Sequence, residues 1–186
     1  MFRAAGNGGI GRKRRSKATH AKRGRTLNLQ IHAITPRIYL GPFLTPERAA
    51  YLSAEGVTHV LNVSDTPSVV RPHGQGIETI EECSIVDLTI IPDAIATRCI
   101  DLMHAALQSP NAKIYVHCIA GQNRSPTAIW LFFVACGVSC LDARRMIETK
   151  SIDAVPGHKS LIDSRLADLA VQHGRELRLS IAFLGL

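Results

Sequence analysis

The run from Val116 to Thr127 gathers Cys118, Gly121, Arg124 and Ser125 within a few residues of one another. A short apolar, β-rich stretch precedes it and an almost continuous apolar stretch follows, so the run reads as a loop between a strand end and a helix N-terminus. Such a loop turns successive backbone N–H groups into one concavity. With the helix dipole behind it, that concavity favours a dianion. Gly121 permits the tight curvature. Arg124 opens the helix, where its planar fork matches two phosphate oxygens at once. Cys118 sits at the mouth of this positive field, and thiols so placed ionise in the range of roughly 3.5–7.5 rather than near ~8.5. The spacing therefore predicts a Cys118 thiolate able to act as a nucleophile.

A thiolate under a bound phosphate implies in-line attack on phosphorus and a phosphocysteine intermediate. That reaction needs a proton for the departing oxygen. Asp87 follows an alternating stretch, Ile77–Val86, that reads as a strand. In a parallel sheet the end of that strand can lie beside the end of the Lys113–His117 strand, at the edge where ligands bind. Asp87 is thus the preferred general acid, and afterwards the base that activates water. Asp93 is the rival, but an acid in the first turn of a helix already has a capping explanation.

The elements that must position these groups can be read along the chain. Arg37–Gly41 reads as a short strand, and Thr45-Pro46-Glu47 as the start of a helix ending near Glu55-Gly56. Thr58–Val63 is a β-rich run, Ser64–Gly76 a Pro- and Gly-rich loop, and Ile77–Val86 a further strand. Pro92-Asp93 opens an amphipathic helix whose apolar positions include Ile95, Cys99, Leu102 and Met103. After Lys113–His117, a helix from Ser125 carries an apolar body through Val134, which marks it as central. Two more helices are expected over Cys140–Lys150 and Lys159–His173. Strands alternating with helices predict a single α/β domain with a central, mostly parallel sheet flanked by helices.

His117-Cys118-x-x-Gly121-x-x-Arg124-Ser125 resembles the active-site loop of cysteine-dependent protein-tyrosine phosphatases, in particular the small dual-specificity type. The likeness runs from Ile38–Gly41 through Val60–Val63, Asp87 and the loop to about His173, and leaves out the N-terminal tail. It implies a phosphatase fold and assigns roles to residues. Cys118 is the nucleophile, Arg124 the phosphate clamp and Asp87 the acid on a mobile loop. The amides of Ile119, Ala120, Gly121, Gln122, Asn123 and Arg124 form the cradle. Ser125 hydrogen-bonds the sulfur and helps it leave, and His117 holds the loop from behind and keeps the thiol acidic. The resemblance implies no metal and no cofactor. The sequence departs from the commonest pattern at Asn123, where Ser is frequent, and at Gln122.

The other candidates have plainer explanations. Cys136 and Cys140 read as buried thiols. Cys83 could approach Cys118 as a disulfide partner, but burial in the sheet is the simpler account. Trp130, Phe132 and Phe133 read as core.

The chain has 186 residues and a formal charge of +7, unevenly spread. Residues 1–28 hold nine Lys/Arg and no acid, leaving thirteen basic residues against all fifteen acids over 29–186. The first stretch reads as a disordered basic tail, and 29–186 as the catalytic domain. No segment reaches the ~18–20 apolar residues of a membrane span. The basic start lacks the apolar core of a secretory signal, and its glycines weaken a mitochondrial transit helix. Five cysteines without such a signal read as reduced thiols in an intracellular, cytoplasmic or nuclear setting.

The expected activity is phosphomonoester hydrolysis on phosphoprotein, at Tyr and at Ser/Thr. One alternative keeps the chemistry on RNA 5′-phosphate ends or phosphoinositides, with the tail contacting nucleic acid or an anionic membrane. Another is a phospho-recognition module without turnover.

Overall fold

The computed structural model describes Met1 and residues 29–185. The tail expected over 1–28 falls, Met1 aside, outside the described residues. Elements follow in the order β1 (His32–Ala33), β2 (Ile38–Gly41), α1 (Pro46–Ala54), β3 (His59–Asn62), β4 (Thr79–Glu82), α2 (Asp93–Ala106), β5 (Ile114–His117), α3 (Arg124–Ala135), α4 (Cys140–Glu148), α5 (Ser164–Glu176) and a short 3-10 turn, Ile181–Leu184.

The strands form one five-stranded sheet in the order β1-β2-β5-β3-β4. β1 runs antiparallel to β2, and the other neighbours are parallel. β5 lies between β2 and β3, so all four of its residues are buried, as the apolar run Ile114-Tyr115-Val116 requires. Side chains alternate across the sheet. Ile38, Leu40, Leu61, Ile114 and Val116 face the core built with α2, α3 and α5. Tyr39, Val60 and Tyr115 face the smaller core with Leu44, Ala49 and Leu52 of the α1 side. Every residue of α3 is buried, which fits its apolar sequence.

Helix starts follow the sequence closely. Thr45 caps α1, accepting from the Arg48 amide at 3.3 Å, with Pro46 just inside the helix. Ser139 caps α4, accepting from the Asp142 amide at 3.1 Å. The last helix departs from expectation. It begins at Ser164 rather than Lys159 because Asp163 is the cap, accepting from the Leu166 amide at 3.0 Å. The residues before it form a turn on the His158 carbonyl, and Leu161 accepts from the Ile91 amide at 2.8 Å. α5 then continues to Glu176 and crosses α3 backbone to backbone at Gly174.

The strand expected over Ile77–Val86 is shorter, Thr79–Glu82, and it pairs with β3 rather than β5. Its end therefore does not lie beside the end of β5, because β3 intervenes. Past Glu82 the chain keeps two bonds along β3, from the Cys83 amide to Asn62 and from the Ile85 amide to Val63, and then crosses toward α3.

Candidate active site

β5 ends at His117, and the loop from Cys118 to Asn123 delivers the chain into α3. Gly121 has φ +77°, and a Cβ there would stand 2.7 Å from the Gly41 carbonyl carbon. Only glycine fits this backbone contact between the loop and the end of β2. The Phe43 amide donates to the Ile119 carbonyl at 3.0 Å and pins the loop from the same side. No side chain caps the first turn of α3, so those amides remain available to an anion.

The Cys118 sulfur is 3.3 Å from the Gly121 amide and 3.4 Å from the Ser125 hydroxyl, both donating to it. Burial by itself would raise this thiol's pKa. The bonds from the Ser125 side chain and from the Ser125 and Gly121 amides, with the charge of Arg124, outweigh it and bring the pKa below the ordinary thiol value. Donors fixed in the loop thus favour the thiolate form of this sulfur, relative to an ordinary thiol.

His117 is fully buried, stacked on Tyr115 and edge-on to Phe43. Its Nδ1–H donates to the Cys118 carbonyl at 3.2 Å. Burial pushes its pKa down to about 4, so the ring is neutral near pH 7. It holds the loop through this bond and its packing, and adds no positive charge beside the sulfur.

Arg124 is 5% exposed although it carries a full charge, and its partners explain why this is tolerated. Nη1 donates to Asp65 Oδ1 at 2.9 Å and to the Ile85 carbonyl at 3.3 Å. Nε lies 3.9 Å from Asp87 Oδ2. A cleft of about 280 Å³ is lined by Asp87, Cys118, Ile119, Ala120, Gln122, Asn123 and Arg124. The segment after β4 thus brings Asp87 to the cleft by crossing the end of β3. Asp87 also accepts from the Leu88 amide at 3.1 Å, and Leu88 itself takes φ 56°, an uncommon conformation for a branched side chain. Asp93 is elsewhere, engaged by Arg165 of α5 through both carboxylate oxygens at 2.5 Å.

Asp65 is the member of this cluster that sequence reading missed. The available signal was an acid directly after the β3 run, at the same sheet edge as the end of β5. Arg124 draws its pKa down, chiefly through the hydrogen bond.

The remaining cysteines sort differently from one another. Cys83 is buried with its sulfur 3.4 Å from Cys99, which makes Cys99 its neighbour in the core. Cys136 is buried, and burial pushes its thiol up to about 12. Cys140 is exposed, contrary to expectation, because it occupies the first position of α4 directly after the Ser139 cap. Trp130 packs in the core and donates from its indole N–H to the Cys140 carbonyl at 2.9 Å.

The chain is 27% identical over 150 residues to dual specificity protein phosphatase 26 of Bos taurus, covering 76% of this chain and 65% of that protein. It therefore spans less than two thirds of the length of the curated relatives it matches. Among solved structures, that of DUSP15 superposes with a TM-score of 0.65 at 21% identity, covering 80% of this chain and 94% of that one. The structure of PTPMT1 in complex with PI(5)P gives 0.63 at 18% identity, covering 80% and 97%. At these identities the structural likeness concerns the fold. No protein-family model matches the chain.

Proposed function

We propose that the chain, which is similar to dual-specificity protein phosphatases in sequence and in fold, hydrolyses phosphate monoesters on protein Tyr and Ser/Thr through a phosphocysteine intermediate. The observation that carries the reading is the Cys118 sulfur, lowered in pKa and held by Gly121 and Ser125 in one cleft with Arg124 and Asp87.

The steps follow from these placements. The phosphate dianion enters the concavity of the amides of 119–124 and the free edge of the Arg124 guanidinium. The Cys118 thiolate attacks phosphorus, so an S–P bond forms as the P–O bond to the substrate breaks. Asp87 gives its proton to the departing oxygen. Asp87 then takes a proton from water, which attacks the phosphocysteine. The S–P bond breaks toward sulfur, where the Ser125 hydroxyl stabilises the returning thiolate. Inorganic phosphate leaves, and substrate plus water has become alcohol plus phosphate.

Among the residues lining the cleft, Arg124 is the one cation, which suits a single phosphate group better than a polyphosphorylated headgroup. Residues 29–186 constitute the catalytic unit in this proposal, and the basic stretch 1–28 is a separate arm for anionic surfaces. The five free thiols accord with a reducing intracellular compartment.

The decisive experiment is a rapid-mixing assay with p-nitrophenyl phosphate. The wild type should release a burst of nitrophenol and then turn over, and Cys118→Ser should abolish both. Binding of phosphate esters without any Cys118-dependent release would instead mark a recognition module. Removing residues 1–28 should leave aryl phosphate turnover unaltered.

A further inference from the structure

A second, polar cavity of about 160 Å³ adjoins the cradle. Gln30, His32, Ser151 and Asp153 line it, together with Ala120 and Gln122 of the catalytic loop. Ala120 and Gln122 also line the cleft that holds Cys118, so the two spaces share a wall. We infer that this cavity is a substrate subsite taking a cationic side chain, Lys or Arg, next to the phosphorylated residue, and that Asp153 is the residue that selects it. The inference rests on the phosphoprotein reading and deepens it.

The segment bearing Asp153 is tied directly to the cradle. The Val155 amide donates to the Gln122 carbonyl at 2.7 Å, inside the phosphate loop. On the other side, the Ser151 amide bonds the Ile147 carbonyl of α4 at 2.9 Å, and the Ala154 amide closes a turn on Ser151 at 3.0 Å. Three backbone bonds thus hold the segment that carries Asp153 against the phosphate loop and α4, and the carboxylate extends from a backbone fixed beside the cradle.

Asp153 has no ion-pair partner among the described residues, unlike Asp65, Asp93, Asp101, Asp142 and Asp163. The other polar groups of the cavity wall, Gln30, His32 and Ser151, carry no fixed charge. An unpaired carboxylate beside a dianion site opposes any further negative charge on the substrate and favours a positive one. Ile119, which lines the adjoining catalytic cleft, is 44% exposed and offers apolar surface to the methylene stem of a Lys or Arg. The same carboxylate works against a polyphosphorylated inositol or a nucleic-acid chain, each of which would bring another phosphate toward it.

The test uses phosphotyrosine peptides with Ala, Lys or Glu placed in turn at each of the three positions on either side of the phosphoresidue. The readout is the ratio of kcat/KM values within each enzyme variant, so a general change in turnover cancels. The wild type should prefer Lys over Ala by about three- to tenfold at one or two positions, and disfavour Glu there. Asp153→Asn should flatten that ratio, and Asp153→Lys should invert it toward Glu. A flat wild-type profile on peptides that are turned over would overturn the subsite alone, as would a Lys preference that survives in Asp153→Asn. Turnover of a phosphoinositide or of 5′-phosphorylated RNA with no peptide turnover would overturn the phosphoprotein reading, and the subsite with it.

Discussion

Arg124 donates from Nη1 to Asp65 Oδ1 at 2.9 Å, and this bond, with the one to the Ile85 carbonyl, fixes one edge of the guanidinium before any phosphate arrives. The opposite edge is left for the dianion. Asp65 is 67% exposed, so its charge is well screened, and its effect is exerted mainly through the orientation of Arg124. Asp65→Ala should lower kcat/KM on aryl phosphates by about fivefold. Asp65→Asn keeps an oxygen acceptor at the same place and should recover most of that loss. A gain in activity on truncation would instead make Asp65 a competitor of the phosphate.

The acidity of Cys118 is set by a contest between burial, which raises the thiol pKa, and the donors around the sulfur, which lower it further than burial raises it. Ser125 supplies two of those donors, its hydroxyl and its amide. Ser125→Ala removes the hydroxyl alone and lets burial push the thiol upward. Inactivation by iodoacetamide across pH should show a midpoint below the ordinary thiol value of 9.0 in the wild type. The midpoint should lie higher in the variant, and an unchanged midpoint would remove Ser125 from the account.

Asp87 faces the cleft, with Oδ2 3.9 Å from Arg124 Nε. If it protonates the leaving oxygen, its loss must matter most where the leaving group is a poor one. Asp87→Ala should slow phosphotyrosine turnover by about a hundredfold or more, while an aryl phosphate with a strongly acidic phenol loses far less. Equal losses on both substrates would refute the assignment.

His117 links the site to stability. Its pKa is about 4 in the folded chain against an ordinary 6.5, so between those values the unfolded chain binds a proton that the folded chain does not. Stability therefore rises with pH through this window, and the contribution is lost as pH falls from about 6.5 to 4. The full difference is about 3 kcal/mol. Urea midpoints of wild type and His117→Asn should differ in their pH slopes there, the variant's being shallower. Parallel slopes would mean that the imidazole is accessible to protons in the fold.

What was legible in the sequence was local. The Cys118–Ser125 loop, the caps Thr45 and Ser139, and the all-apolar α3 announce themselves within a few residues, because backbone curvature, capping and burial each leave a short-range pattern. The relationships that span the sheet were not legible. Nothing near Asp87 says that β3 separates its strand from β5, and nothing near Asp65 says that Arg124, 59 residues on, will reach it. Strand order is settled by how the two sheet faces bury against α1 and against α2–α5, which is a property of the assembled chain. The late start of α5 has the same origin, since the turn before it serves the Ile91 amide from a different part of the fold.

Gly174 offers a prediction in which two local rules oppose each other. It lies inside α5, where replacing glycine by alanine ordinarily stabilises a helix by about 1 kcal/mol. Here a Cβ would stand 2.0 Å from the Ala135 carbonyl oxygen and 2.6 Å from its carbon, both backbone atoms of α3 that cannot swing aside. Relief requires α5 to move off α3, which loosens the contacts of Leu166 and Ala170 with the central core. The steric effect should win, with Gly174→Ala losing about 1–3 kcal/mol and melting several degrees lower. Its effect on the active site should be indirect, through α3. An increase in Tm would show that helix propensity prevails and that α5 is not held against α3 at this point.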